Sequence, residues 1–367
     1  MKKKALILLF PLLILSLFLI GCEEQRNSQL SEAETTDYTI KSNRVSGVLT
    51  DNISIDAVIN LPAKLDEDEK NIAVYNAAMR EFDKTKVINI LEPKLKPEQY
   101  TYHTENVFGT ELETAIYNDE NASFNIGHMI YYESKACEFY SYLFREDLFE
   151  SKKTLTFEPE EQALEHTFQI LEELGISRPE WKKTYYMEKE SLKEAEKEQS
   201  AYEYFADDLK KGKALYRGEW KDSDACYVFD LTVSVDSIPV LEKGYLIDDY
   251  LFVFGGGIRV FYSKDGIIGI EVEAVYDAGE ISDTVEIAPL DTVLNQLKAK
   301  YESIMSDEKL EISNIGVKYI PEPQGRGRSE LKLIPVWEVI LKGQDGDNQY
   351  EIAVYYTIDG KKEKVLP

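Results

Sequence analysis

Histidine and cysteine are scarce in this chain, with three of each in 367 residues, and that scarcity excludes most metal and nucleophile chemistry at the outset. Catalytic zinc sites use His-Glu-x-x-His and structural ones paired Cys-x-x-Cys; neither spacing occurs. No serine stands in a Gly-x-Ser-x-Gly elbow. The imidazoles available as bases are His103, His128 and His166, and pairing any of them with Cys137 has no local support. A phosphate loop needs glycines that lead into a helix, with Lys-Ser or Lys-Thr behind them. Gly255-Gly256-Gly257 runs instead into Ile258-Arg259-Val260-Phe261, a strand sequence, and reads as a bulge or a close backbone approach. Asp345-Gly346-Asp347-Asn348 opens like a calcium loop. The fifth and sixth positions are Gln349 and Tyr350, so it reads as an acidic hairpin turn. Asp248 and Asp249, adjacent in a strand, would point to opposite faces and make a poor acid–base pair. The expectation is a non-enzyme without cofactor or metal.

Basic residues are also in short supply, 42 against 68 acidic ones, for a formal charge of −26. Such a surface repels phosphate backbones, which argues against a nucleic-acid partner. The local basic feature singled out by the sequence is Gly325-Arg326-Gly327-Arg328, read as a flexible loop between two strands. An apolar content of 43% and 24 tyrosines point to packed, strand-rich cores rather than disorder.

The N-terminus carries Lys2-Lys3-Lys4, an apolar run from Ala5 to Ile20, and then Gly21-Cys22. Basic n-region, apolar h-region and a small residue before the cut are the parts of a secretory signal. The run is 16 residues, about 24 Å as a helix; a bilayer core needs about 30 Å, and Pro11 interrupts it. Leu19-Ile20-Gly21-Cys22 resembles the lipobox of bacterial lipoproteins, although Ile20 stands where Ala or Ser is commoner. That resemblance implies cleavage between Gly21 and Cys22, residues 1–21 as signal peptide, and a diacylglyceryl thioether on Cys22. The mature protein would be held at the outer face of the plasma membrane. Two acyl chains suffice for stable anchoring. With Cys22 so used, Cys137 and Cys226 remain, either as a disulfide or as two buried thiols.

Residues 22–44 are polar and without periodicity, a flexible tether spanning roughly 25 Å. An N-terminal domain is expected over 45–190. Ile53, Ile55, Ala57, Ile59 and Leu61 alternate as a half-buried strand. Ile72, Tyr75, Met79 and Phe82 recur at helical steps and predict a helix over Asp66 to Asp83. Alternation from Ser123 to Glu133 predicts one strand, with His128 on its apolar face as a satisfied core histidine. Glu158 to Leu174 is a helix capped by Gly175, with His166 turned to solvent. Residues 191–211 are charged, open with the capping box Ser191-Leu192-Lys193-Glu194, and read as a solvated connecting helix at a domain boundary. A C-terminal domain over 212–367 follows. It has strands at Tyr227 to Val235 and Tyr245 to Phe254, and a hairpin of Ile258 to Tyr262 and Ile267 to Tyr276 about Lys264-Asp265-Gly266. A helix starting at Pro289 and three strands, about Glu311 to Ile320, Leu331 to Leu341 and Gln349 to Ile358, complete it. The class is α+β, with antiparallel sheets and packed helices in two domains.

The order of elements from Pro289 to Gly360, with Tyr319-Ile320-Pro321, Pro335-Val336-Trp337 and Thr357-Ile358-Asp359-Gly360, resembles the C-terminal part of YycH/YycI and PepSY-like extracytoplasmic proteins. The whole chain resembles uncharacterised Clostridia-type lipoproteins of the Firmicutes. The resemblance implies a protein-binding or regulatory role at the cell surface, through an extracytoplasmic protein partner. Those regulators keep a transmembrane helix where this chain has Cys22, so kinase regulation does not carry over. A receptor for small ligands or cell-wall fragments is the alternative.

Overall fold

The computed structural model describes residues 38–62, 70–95, 101–107, 110–118, 122–247, 251–303, 308–324, 330–345 and 348–366. Residues 1–37, which hold the expected signal sequence, Cys22 and most of the expected tether, lie outside them; the tether expected up to residue 44 ends earlier, since Tyr38–Lys41 is already a strand. The class is α+β, built on two large sheets.

The first sheet runs, in spatial order, Tyr38–Lys41, Arg44–Thr50, Ile53–Asn60, Leu310–Pro323, Leu331–Asp345, Asn71–Met79 and Tyr276–Glu286. Asn348–Thr357 pairs with the far end of Leu331–Asp345. All its pairings are antiparallel except that of Ile53–Asn60 with Leu310–Pro323. The second sheet is antiparallel throughout. Its order is Thr101–Val107, Thr110–Asn118, Ala122–Ile126, Ile130–Ser134, Gly266–Val272, Gly257–Ser263, Cys226–Thr232 and Glu180–Met187.

Each sheet therefore takes strands from both sides of residues 191–211, and Asp37–Pro367 is one compact unit. The expected division into 45–190 and 212–367 does not separate the fold. The linking segment is itself packed: the helix Lys189–Ser200 buries Leu192, Ala195 and Glu196. Ser191 lies inside that helix, which follows Glu188, so the predicted capping box does not form.

Helices cover both faces of the second sheet. Glu160–Glu173 buries Ala163, Phe168 and Leu171 in an apolar cluster shared with Tyr227, Phe229 and Val260. Cys137–Leu143, Glu146–Phe149 and Lys189–Ser200 cover the other face, over Tyr185, Cys226, Val228 and Phe261. This explains why Cys226–Thr232 reads as a nearly unbroken apolar run: both of its faces are buried. In the first sheet, Leu290–Glu302 buries Val293, Leu294 and Leu297 in the same cluster as Trp337, Val339 and Tyr356.

Three sequence expectations fail for identifiable reasons. Asn71–Met79 is a strand, not part of a helix, and it lies between two others. Ile72 and Val74 fall on one face and Tyr75 and Ala77 on the other, all buried. A run buried on both faces has no clean two-residue period, and its spacing imitates a helix. The helix comes later, at Lys84–Leu91, capped by the Asp83 side chain accepting from the Lys86 amide at 3.0 Å. Ser123 to Glu133 is a hairpin rather than one strand, since Ile126 pairs with Ile130. His128 sits in its turn, half-buried, with Nδ1 3.0 Å from the Arg80 carbonyl oxygen. The second hairpin ends at Val272, and Tyr276–Glu286 joins the first sheet as a mostly exposed edge strand that no apolar pattern announced. The turn expected at Lys264-Asp265-Gly266 does form, with Gly266 at φ +95°.

Candidate functional site

A cleft of about 1380 Å³ opens between the two sheets. One wall is the end of the first sheet at Val58–Pro62, Asn314–Lys318 and Glu338–Lys342; the other is Arg178–Lys182 with the Ser234–Pro239 turn. Strand register places its central charges. Lys318 lies opposite Val336, and Glu338 opposite Gly316, so Lys318 and Glu338 are diagonal neighbours on one face. Lys318 Nζ lies 2.9 Å from Glu338 Oε1 and 3.3 Å from Glu242 Oε1. Lys182 Nζ stands 3.6 Å from the same Glu242 oxygen and 2.7 Å from Glu180. The result is a chain of alternating charges from the buried Glu338 to the rim. Burial alone would lower the affinity of Lys318 for its proton, but the carboxylates of Glu338 and Glu242 hold it above the ordinary lysine value. Burial, reinforced by Glu338, pushes the Tyr355 hydroxyl up.

Neutral hydrogen-bonding groups surround these charges. Asn60 Nδ2 donates to Asn314 Oδ1 at 2.8 Å across the parallel strand pair. Trp181 stands at the rim, 47% exposed, with its indole nitrogen donating to Thr184 at 2.9 Å. Arg178 lies over the Phe168 ring at 4.5 Å and pairs with Glu165 at 2.8 Å. The cleft thus offers an aromatic platform, amides, hydroxyls and a fixed charge array.

A second polar cluster surrounds the start of Glu160–Glu173. Tyr262 donates to Glu158 at 2.8 Å, and His166 Nδ1 is 3.1 Å from both Tyr262 Oη and Glu158 Oε1. His166 is only half-exposed, so the expectation that it faces solvent is met in part.

The remaining sequence candidates resolve as follows. The glycines at 255–257 mark a close backbone approach. A Cβ on Gly255 would fall 2.0 Å from the Glu242 carbonyl oxygen, and Gly256 and Gly257 donate to Leu241 and Glu242 at 2.7 and 3.0 Å. Cys137 and Cys226 are free, buried thiols, which closes the disulfide alternative in this structure. Burial pushes both thiols up, away from the reactive thiolate. Asp248-Asp249, Gly325–Arg328, the turn at 346–347, the side chain of His103, and Gly21-Cys22 lie outside the described residues. Among the described residues, no group of three or more His, Cys, Asp or Glu is placed to hold a metal ion. Also among them, no helix is long and apolar enough to cross a membrane.

Sequence reasoning missed the cleft, because its walls come from five separate stretches. It also missed Glu196, a 5%-exposed carboxylate that accepts three N–H groups. A buried glutamate one position after the helix stripe Leu192–Ala195 has no signal of its own.

Among solved structures, the chain is similar to an uncharacterised protein from Eubacterium rectale. The TM-score is 0.65 at 17% identity, over 89% of this chain and 94% of that one. At that identity the likeness is one of fold. No protein-family model matches the chain, and no curated protein sequence does.

Proposed function

We propose that this is a membrane-anchored extracytoplasmic lipoprotein that acts by binding, with the inter-sheet cleft as its binding site and Cys22 as its lipid attachment. The observation that carries the reading is the cleft itself. At about 1380 Å³ it exceeds the roughly 300–1,000 Å³ of a small-molecule pocket. It is an open trough, suited to a polypeptide segment of a partner protein. Its charges are held in pairs, which favours fixed recognition over proton transfer. The resemblance of Pro289–Gly360 to extracytoplasmic regulators supports the same role.

The test is a photo-crosslinking residue at Val58, exposed at the cleft wall, in intact cells with mass spectrometry as readout. One abundant adduct, absent in a Trp181→Ala background, is the expected result. Adducts at the level of a control probe at Glu172, which is exposed and does not line the cleft, would sink the proposal. Trp181 supports one second reading, a cell-wall glycan stacked on its indole. In that case muropeptides would raise the melting temperature of wild-type protein and leave Trp181→Ala unmoved.

A further inference from the structure

We propose that the protrusion at residues 201–221 docks on an anionic bilayer surface, as a contact separate from any lipid on Cys22. Large apolar side chains are exposed there together: Tyr202 and Tyr204 at 68%, Tyr216 at 53% and Leu209 at 40%. Phe205 meets Tyr216 edge-to-face at 6.2 Å, joining the two ends of the excursion. Beside these rings stand Lys210, Lys211, Lys213, Arg217 and Lys221, all exposed; Glu219 is the single acid between 209 and 221, while Glu203, Asp207 and Asp208 lie among the preceding residues, so 201–221 as a whole carries a net charge of +1. Residues 209–221 taken alone carry a net charge of +4 in a chain of net charge −26.

The protrusion is held, not loose. The buried carboxylate of Glu196 accepts from the amides of Arg217 at 2.6 Å and Gly218 at 3.1 Å, and from the Trp220 indole at 3.2 Å. Arg217 is further engaged by Asp224 at 2.8 Å and by the Trp220 ring. Lys210 lies 4.0 Å from Asp207. Lys211 and Lys213, at the Gly212 turn (φ +69°), make no ion pair among the described residues.

Tyrosines beside lysines match the chemistry of a membrane interface. The phenol ring sits at headgroup depth, and the lysine stem lies along apolar surface while its ammonium meets phosphate. The charge distribution gives the contact an orientation. An anionic surface attracts the lysine-bearing part at 209–221 and repels the acidic remainder of the molecule.

Asp37–Pro367 is one compact unit with its own core, so the chain from Asp37 tests the proposal without Cys22. It is sedimented with vesicles of equal parts phosphatidylglycerol and phosphatidylcholine, and with vesicles of phosphatidylcholine alone. Sedimentation with the anionic vesicles only, falling as salt rises, is expected. Lys211→Ser with Lys213→Ser should lower the partition coefficient about 25-fold, roughly fivefold per lysine. Tyr202→Ser with Tyr204→Ser should also lower it, at unchanged melting temperature, since both rings are exposed. Failure to sediment, equal sedimentation with both vesicles, or indifference to the lysine changes overturns the proposal. So does binding to soluble polyglutamate that the tyrosine changes leave intact, which would assign the stretch to an acidic polypeptide. Acylation of Cys22 and occupancy of the cleft are untouched by any of these outcomes.

Discussion

Glu196 and Trp220 are joined by a hydrogen bond of 3.2 Å from the indole nitrogen to Oε2, within a pocket where both side chains are buried. The same oxygen accepts from the Gly218 amide, and Oε1 from the Arg217 amide. One carboxylate therefore fastens the 201–221 excursion to the helix Lys189–Ser200. Glu196→Ala would strand these donors under cover, each buried unsatisfied group costing about 1–3 kcal/mol. The expected result is a loss of about 3 kcal/mol in urea unfolding, with near-native far-UV dichroism in the folded protein. Amide exchange at 217–220 should accelerate more than elsewhere.

Lys318 and Glu338 depend on one another. Both are nearly inaccessible, and Lys318→Met would leave the Glu338 carboxylate buried with its cation gone. Breaking such a pair from one side costs about 3–5 kcal/mol. Lys318→Met combined with Glu338→Leu should recover much of that loss, because it removes the orphaned charge as well. A double-mutant cycle by urea unfolding measures the difference.

Cys137 and Cys226, free and buried, should ignore a thiol reagent in the native protein. The chain from Asp37 should release no chromophore from Ellman's reagent under native conditions and two equivalents in guanidinium. Gly269→Ala tests the packing around the first thiol, since a Cβ there would lie 2.4 Å from Cys137 Sγ. A loss of about 1–3 kcal/mol is expected from that overpacking.

Many tyrosines hold their protons above the ordinary phenol range. Burial does this for Tyr132, Tyr140, Tyr245 and Tyr319, and burial reinforced by Asp236 pushes Tyr75 up to about 12. The unfolded chain ionises near pH 10. Above that pH the folded state binds more protons than the unfolded one, so stability falls as pH rises. Stability set by these phenols should be flat below about pH 9 and decline steeply beyond pH 10. The phenolate absorbance of the buried rings should appear only with unfolding.

Patterns confined to one stretch were legible in the sequence. The strand Ile53–Asn60 shows its alternation in full, and the helix Glu160–Glu173 shows its stripe and its Gly175 end at φ +89°. The helix after Pro289 and the strands that follow it were also placed. Two of the failures were a strand buried on both faces, Asn71–Met79, and one exposed on nearly every residue, Tyr276–Glu286. In both cases the contrast between faces that carries the signal is absent. The cleft was illegible for another reason. Lys318 and Glu338 meet through sheet register, Trp181 reaches the cleft from the other sheet, and nothing in the 156 positions between Trp181 and Glu338 links them.

The parallel pairing of Ile53–Asn60 with Leu310–Pro323 closes a circuit of about 250 residues. Asn71–Met79 likewise waits for Leu331–Asp345 and Tyr276–Glu286 on either side. A chain emerging N-terminus first must therefore carry Asn71–Met79, and one edge of Ile53–Asn60, unpaired until the last hundred residues arrive. Assembly is a race between completion and self-association. Truncation near the C-terminus would cost the first sheet its centre, so even a late stop codon should yield no partial product that survives proteolysis.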